Sequence, residues 1–337
     1  MKTKRYLITG GTGFIGSALV RRFVKEGFSV CVLDNDSRGS KERLADVYKD
    51  IEFIKGDIRD PQVVRRACRK IDCVYHLAYV NGTEFFYSMP DVVLDVGVNG
   101  MMNVMDACLK ENVGEMILAS SSEVYQKAAI VPTDESVGYS IPDPLNPRYS
   151  YACGKIISES ILINYGRKYF KRVIIFRPHN VYGHNMGWEH VIPQFILRMC
   201  RLISRSPKAK EINFPIHGSG KETRAFVFID DFIDGVFLLN EKGKHMNIYH
   251  IGSQEEITII EVAKHIGRYF GKNVKIIPGK AAKGGTPRRC PDISKMKALG
   301  YKPQYKFSKG LDITARWYNA NAQLSPYKRN KTDFKII

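Results

Sequence analysis

"RYLITGGTGFIGSALVRRFVKEGFSVCVLDND" spans residues 5–36, and its reading decides the fold class. Residues 6–9 read as a short buried strand. Gly10, Gly13 and Gly16 follow at G-x-x-G-x-x-G spacing, and Ala18, Leu19, Phe23 and Val24 then recur at helical spacing. The glycines allow a tight turn and let the backbone approach a pyrophosphate at the helix N-terminus. Gly10, Gly13, Phe14, Ile15 and Gly16 are therefore expected against a dinucleotide. Asp34 ends the next strand, near the ~20-residue distance of a ribose-binding carboxylate. Its charge would repel a 2′-phosphate, which favours NAD, while Arg38 nearby keeps NADP as the alternative. Glycine spacing alone is weak. Its weight here comes from the strand before it, the helix after it and the acid beyond.

The pattern continues outward. "IEFIKGDI" reads as a third strand ending in Asp57, and "CVYHLAY" as a fourth ending in His76-Leu77-Ala78. Residues 101–113 read as a helix and "EMILASSS" as a fifth strand. Alternating strands and helices predict an α/β protein with a doubly wound parallel Rossmann sheet. Ligands gather at the carboxyl ends of such strands. "SSSEVY", residues 120–125, stands at one of those ends.

The 337 residues suffice for one large domain or two unequal ones. The seven cysteines include no C-x-x-C pair, which argues against zinc or disulfide frameworks. His190 has no partner at metal-ligand spacing, so no metal is expected. The net charge of +18 exceeds the two or three cations that one diphosphate ligand would use. A solvated basic surface is the plain reading, and weak association with anionic surfaces is the sharper one. Zinc-finger spacing and RNA-binding aromatic motifs are both missing, so no specific nucleic acid is expected. No uncharged apolar run approaches the ~18 residues of a membrane span. "MKTKRYLITGG" lacks a secretory apolar core. A cytoplasmic protein is the expectation.

"NPRYSYACGKIISESILINYG" places Tyr151 and Lys155 four residues apart on one helix face. Together with "GGTGFIG", "GDI", "HLA", "SSSEVY", "YACGK", "RPHNVYG", "GSGKETRAFVFIDD" and "RRCPDI", the chain resembles the extended short-chain dehydrogenase/reductases that modify nucleotide sugars. The resemblance runs from Tyr6 to about residue 310. It implies that Tyr151 acts as base on a sugar hydroxyl, its pKa lowered from near 10 by Lys155 and the nicotinamide charge. Ser121 would bind the same hydroxyl. Oxidation at carbon 4 would leave a 4-keto sugar. Lys155, His76 and Ala78 would border the cofactor, and Asp57 and Ile58 the adenine. Ser122, Asn180, Trp188, Arg224 and Arg289 would face the nucleotide sugar, the two arginines suiting phosphate through their bidentate forks. Residues 1–178 would be mainly NAD-binding and 179–320 a smaller C-terminal α/β nucleotide-sugar region, with the chain crossing between them. Residues 321–337 would form a basic tail. The family's homodimers imply pairing through the helix after Pro90 and the helix bearing Tyr151.

Glu123 is the informative departure. In the family's 4,6-dehydratases the run is Thr-Asp-Glu; here it is Ser121-Ser122-Glu123, so a base is present and the acid is a serine. UDP-glucuronate decarboxylases carry Thr-Ser-Glu, and a GDP-mannose 3,5-epimerase, similar around "RPHNVYG", has cysteine at the glutamate's position. Glu123 is expected to be an additional acid/base or a polar contact to the sugar. "HLAY" brings Tyr79 where relatives have a second alanine. "GVNGM" puts Gly97 and Met101 where they have asparagine and threonine, and Cys153-Gly154 precedes Lys155. Trp188, Glu189 and His190 lie in an unusual loop that would select the sugar. The net expectation is an NAD-dependent nucleotide-sugar epimerase in polysaccharide precursor synthesis. Decarboxylation of a nucleotide hexuronate is the alternative, followed by net carbon-4 oxidation, 4,6-dehydration and a non-catalytic NAD-binding scaffold.

Overall fold

The computed structural model describes residues 4–280 and 286–327; residues 328–337 of the expected basic tail lie outside the described residues. The first half runs β1 (Arg5–Thr9), α1 (Phe14–Lys25), β2 (Ser29–Asp34), β3 (Ile51–Lys55), α2 (Pro61–Cys68), β4 (Cys73–His76), α3 (Thr83–Ser88), α4 (Pro90–Lys110), β5 (Glu115–Ala119), α5 (Ser150–Tyr169) and β6 (Arg172–Pro178). The strands are nearly continuous apolar runs, as a sheet covered on both faces requires. Tyr6 and Ile8 join one buried cluster and Leu7 the other, following the two-residue alternation of a strand.

The second half runs β7 (Val181–Tyr182), α6 (Val191–Arg205), β8 (Glu211–Ile216), β9 (Thr223–Ala225), β10 (Val227–Phe228), α7 (Ile229–Lys242), β11 (Asn247–Ile251), β12 (Glu256–Thr258), α8 (Ile259–Tyr269), β13 (Asn273–Pro278), β14 (Arg288–Arg289), α9 (Ser294–Leu299) and α10 (Phe307–Ala320). The seven-stranded sheet has the order β11-β6-β5-β4-β1-β2-β3, and every pairing in it is parallel. Its last strand, β11, thus returns from the second half to pair with β6. The remaining strands form small sheets, of which β12-β9-β14 matters for the site.

Local chemistry moves several expected boundaries. β3 stops at Lys55, and Asp57 follows it in a turn where it accepts from the Arg59 amide at 2.9 Å. β5 stops at Ala119. The Ser121 hydroxyl then accepts the Glu123 amide at 3.1 Å and starts a short helical turn over Ser122–Tyr125. This is serine's usual competition with strand pairing. The helices expected after Pro90 and over residues 101–113 are one, α4, which begins at Pro90, a residue suited to a first helical turn. α4 is long and apolar enough to cross a membrane by length and composition alone, and half of its most apolar window is buried within the chain. It packs along α5.

Candidate active site

The glycine turn between β1 and α1 is built for close approach. Gly10 has φ +74°, and a Cβ there would stand 2.7 Å from the Ala78 amide nitrogen. A Cβ on Gly16 would stand 2.1 Å from the Gly10 carbonyl oxygen. Only glycine brings the N-terminus of α1 this near the ends of β1 and β4. The adjoining cavity is lined by Gly10, Gly13, Asp34, Arg38, Asp57, Ile58, Ala78 and Tyr79, among others. Asp34 accepts from the Thr12 and Asp36 amides at 3.0 and 2.9 Å, which fixes its carboxylate at the cavity wall. Asp57 is held by Arg59 and by the Asn35 amide at 2.9 Å, and the Arg59 hydrogen bonds pull its pKa to about 2. Arg38 donates to the Asn81 carbonyl at 3.0 Å and lies 4.2 Å over the Phe85 ring. An open cradle of backbone amides, a wall carboxylate and an apolar floor from Ile58 and Ala78 fit a dinucleotide.

His76 is not among the residues lining this cavity. It is buried in β4, with Nδ1 2.8 Å from the Thr9 hydroxyl, and burial followed by the Lys155 charge pushes its pKa to about 3. It ties β4 to β1 as a neutral ring. Phe14 and Ile15 begin α1 beside the cradle and pack, half-buried, against the core.

Ser121, Tyr151 and Lys155 converge beyond β5. α5 brings Tyr151 and Lys155 to one face, and the Ser121 hydroxyl hydrogen-bonds Tyr151. Tyr151 is buried, stacked on Phe86 at 4.9 Å and edge-on to Tyr79 at 5.0 Å. Burial raises its pKa well above 10, opposed by the Ser121 hydrogen bond. The lysine expected to lower it makes its nearer ring contact with Tyr79. Lys155 Nζ donates to the Ala119 carbonyl at 2.7 Å and lies 4.0 Å from the Tyr79 ring centroid, against 5.8 Å from that of Tyr151. Lys155 is 4 % exposed, and burial lowers its pKa to about 7.

Glu123 faces a group of arginines. Its Oε1 accepts from Arg289 at 2.6 Å and its Oε2 from the Gln126 side chain at 3.3 Å. Burial pushes the Glu123 pKa up, but Arg289, with Arg148 and Arg224 beyond it, holds it below the usual range. β9 and β14 pair in parallel with Arg224 beside Arg289 in register. Among the described residues, the Arg224 side chain donates to one acceptor, the neighbouring Thr223 carbonyl, at 2.7 Å. Burial and then Arg289 lower its pKa to about 10. The structure therefore brings Arg224, Arg289 and Glu123 together and adds Arg148, which the sequence reading passed over. The signal for Arg148 was its place in the turn just before Tyr151.

The other expected sugar contacts divide. Ser122 is buried beside Ser121. Asn180 takes φ +44°, and its side-chain amide donates to the Ala225 carbonyl at 3.1 Å, tying the "RPHNVYG" loop to β9. Trp188 turns toward α10, edge-on to Tyr318 at 5.0 Å and 6.1 Å from Trp317. Glu189 lies 3.8 Å from Arg38 and His190 is pushed down by burial. Among the described residues no His, Cys, Asp and Glu group could hold a metal ion.

Sequence reading also missed a buried ion pair behind the serines. Glu159, 0 % exposed, accepts from Arg177 Nε at 2.9 Å and Nη2 at 2.6 Å, from Tyr139 at 2.8 Å, and from the Ser120 hydroxyl. Arg177 also reaches the Tyr125 hydroxyl, which lies 2.7 Å from His250 Nε2. The available signal was an arginine ending the apolar run of β6.

Known proteins share this fold. The model of the "NAD dependent epimerase/dehydratase family" matches residues 6–252. A UDP-glucuronic acid decarboxylase of Arabidopsis thaliana is 31 % identical over 316 residues, covering 92 % of this chain and 87 % of its own length. A dTDP-glucose 4,6-dehydratase of Streptomyces venezuelae, solved with NAD, is 30 % identical with a TM-score of 0.83, covering 96 % of this chain and 99 % of its own. A UDP-glucose 4-epimerase of Thermotoga maritima, solved with UDP-glucose, is 26 % identical with a TM-score of 0.82, covering 94 % and 99 %. The chain belongs to the NAD-dependent epimerase/dehydratase family, which makes it an enzyme with NAD as its cofactor.

Proposed function

We propose that this member of the NAD-dependent epimerase/dehydratase family is a nucleotide-sugar epimerase that passes through a 4-keto sugar. The observation that carries the reading is the convergence of Ser121, Tyr151 and Lys155 at the end of β5, beside the glycine cradle. Tyr151 takes the proton of the carbon-4 hydroxyl, and Ser121 hydrogen-bonds that oxygen. Lys155 as ammonium favours the phenolate. When bound, NAD would accept the hydride of carbon 4 and later give it back. Tyr151 gives its proton back to the reduced oxygen, and reduction on the opposite face inverts the carbon.

Ser122, a buried hydroxyl, is a very weak acid beside Glu123, which argues against dehydration. Glu123, held anionic by Arg289, would act as a second base beside the ketone or as a contact to the sugar. Arg224 and Arg289 would hold the diphosphate. The apolar faces of α4 and α5 support the homodimer, through half-exposed Leu94, Val98 and Met102 with exposed Ile157. Polysaccharide precursor supply is the proposed setting.

A second reading is decarboxylation of a nucleotide hexuronate. Arg224 favours it. A crowded guanidinium bonded only to a neighbouring carbonyl, among the described residues, suits a sugar carboxylate as well as a phosphate. The Arabidopsis relative supports it too. The test is mass spectrometry of products from UDP-glucose, UDP-N-acetylglucosamine, UDP-glucuronate and GDP-mannose incubated in heavy water. An isomer of unchanged composition is expected. Solvent deuterium in that isomer would place a base beside the ketone. Loss of carbon dioxide would establish the second reading, and loss of water or of two hydrogens would overturn both.

A further inference from the structure

Three departures noted in the sequence, Tyr79, Gly97 and Gly154, turn out to be one piece of packing. Tyr79 follows the end of β4, Gly97 lies in α4 and Gly154 in α5. A Cβ on Gly97 would stand 2.0 Å from the Tyr79 hydroxyl oxygen, and a Cβ on Gly154 would stand 2.0 Å from the same atom. The phenol therefore fills a slot that exists only because both helices carry glycine there. Its hydroxyl is buried and has no hydrogen-bond partner among the described residues, so hydrogen bonding does not account for this seat. The ring explains it better. One face lies 4.0 Å from Lys155 Nζ, and the ring meets Tyr151 edge-on at 5.0 Å. Phe86 closes the far side of Tyr151 at 4.9 Å.

We propose that Tyr79 is a positioning residue that carries the Lys155 ammonium on its ring face and sets the Tyr151 ring, seated by Gly97 and Gly154. A buried ammonium needs compensation. Among the described residues Lys155 donates to one acceptor, the Ala119 carbonyl, and the negative face of the Tyr79 ring is a second favourable surface within reach. Among the described residues, the titratable groups facing it are His76 on β4 and Tyr151 and Glu159 on α5, with Cys153 beside Tyr79 and Glu123 beside Tyr151 one step further out. His76 is neutral, and Glu159 is taken up by Arg177. Tyr79 thus offers Lys155 the nearer of two ring faces, at 4.0 Å against 5.8 Å for Tyr151, and replacing it alters no charge.

The test is a titration of Lys155 in protein labelled with ¹³C-lysine, following its Cε resonance from acid to alkaline pH and assigning it with Lys155→Arg. Tyr79→Leu should lower the midpoint by about one unit, a tenfold change in ionisation constant of the size a desolvated cation–ring contact carries. Tyr79→Phe, which keeps the ring, should titrate like the natural protein. Gly97→Ala should lower the midpoint by expelling the ring, and should add nothing in the Tyr79→Leu background. An unchanged midpoint in Gly97→Ala or Tyr79→Leu would overturn the proposal, as would a Tyr79→Phe shift equal to that of Tyr79→Leu. For any sugar turned over, the alkaline limb of kcat should move with the midpoint. Only that last consequence rests on the catalytic role proposed for Lys155, so the titration and the assigned reaction fail separately.

Discussion

Two carboxylate–arginine pairs flank the SSSEVY run, and they differ in what surrounds them. Glu159 and Arg177 are sealed off, with side-chain exposures of 0 % and 2 %; Ser120 and Tyr139 also donate to Glu159, and Arg177 also donates to Tyr125. Glu123 and Arg289 are 24 % and 14 % exposed, and two further arginines crowd them. The first pair is complete in itself. The second has more positive than negative charge and an open side. The difference teaches that ion pairing alone says little; the unspent donors and the solvent path separate a structural pair from one that a substrate can enter.

Removing a partner from the sealed pair should have the largest effect. Glu159→Ala leaves Arg177 charged and buried, and should cost about 3–5 kcal/mol of stability in a urea titration. Replacing both residues by apolar side chains of similar size should recover much of that loss. A small loss in the single variant would mean that water reaches the pair.

The same operation on the open pair should act on rate instead. Glu123→Gln should change stability by less than about 1 kcal/mol, since Arg289 keeps a route to solvent. If Glu123 moves a proton beside the ketone, kcat should fall about a hundredfold, the low end for an acid/base group. If Glu123 is only a contact, KM should rise while kcat holds.

A pH series sharpens the contrast. His76 and His250 are buried and neutral, with pKa values pushed by burial to about 3 and about 4. As pH falls below the unfolded value near 6.5, the unfolded chain binds protons that these histidines refuse in the fold. Stability is therefore complete above about pH 6.5 and should decline toward pH 4, by up to about 1.4 kcal/mol per unit for each histidine. Urea midpoints at pH 7 and pH 5 measure this. Glu123 contributes at lower pH, with the usual carboxylate sign. Its paired form is present above the unfolded pKa and is lost as pH falls through the depressed folded one. The smallest effect belongs to the exposed Arg288–Glu256 pair, where Arg288→Ala should leave the denaturation midpoint unmoved.

The same contrast explains what could be read from the chain. The cradle was legible because its parts are local. Gly10 to Gly16 span one turn and the start of α1, and Asp34 ends the very next strand. Tyr151 and Lys155 were legible through their four-residue spacing. The arginine group was half legible: Arg224 and Arg289 stood in recognisable motifs, but their side-by-side register comes from β9 pairing β14. Glu123 and Arg289 meet across 166 residues of chain, a distance no local pattern spans. Tyr79 stood out only as a tyrosine where relatives have alanine, and the packing of α4 on α5 shows that Gly97 and Gly154 make room for it. The place of Lys155 was hidden for a similar reason, because helix spacing does not show that its ammonium stands nearer the Tyr79 ring than the Tyr151 ring.

Transient oxidation at carbon 4, with Tyr151 as the base and bound NAD as the hydride acceptor, is tested most directly by absorbance at 340 nm. The NAD-loaded protein would be mixed rapidly with each nucleotide sugar of the panel, and Tyr151→Phe run beside it. The account predicts a transient rise in absorbance with at least one sugar, slowed by deuterium at carbon 4 and lost in Tyr151→Phe. A product formed with no such rise and at an undiminished rate in Tyr151→Phe would contradict it.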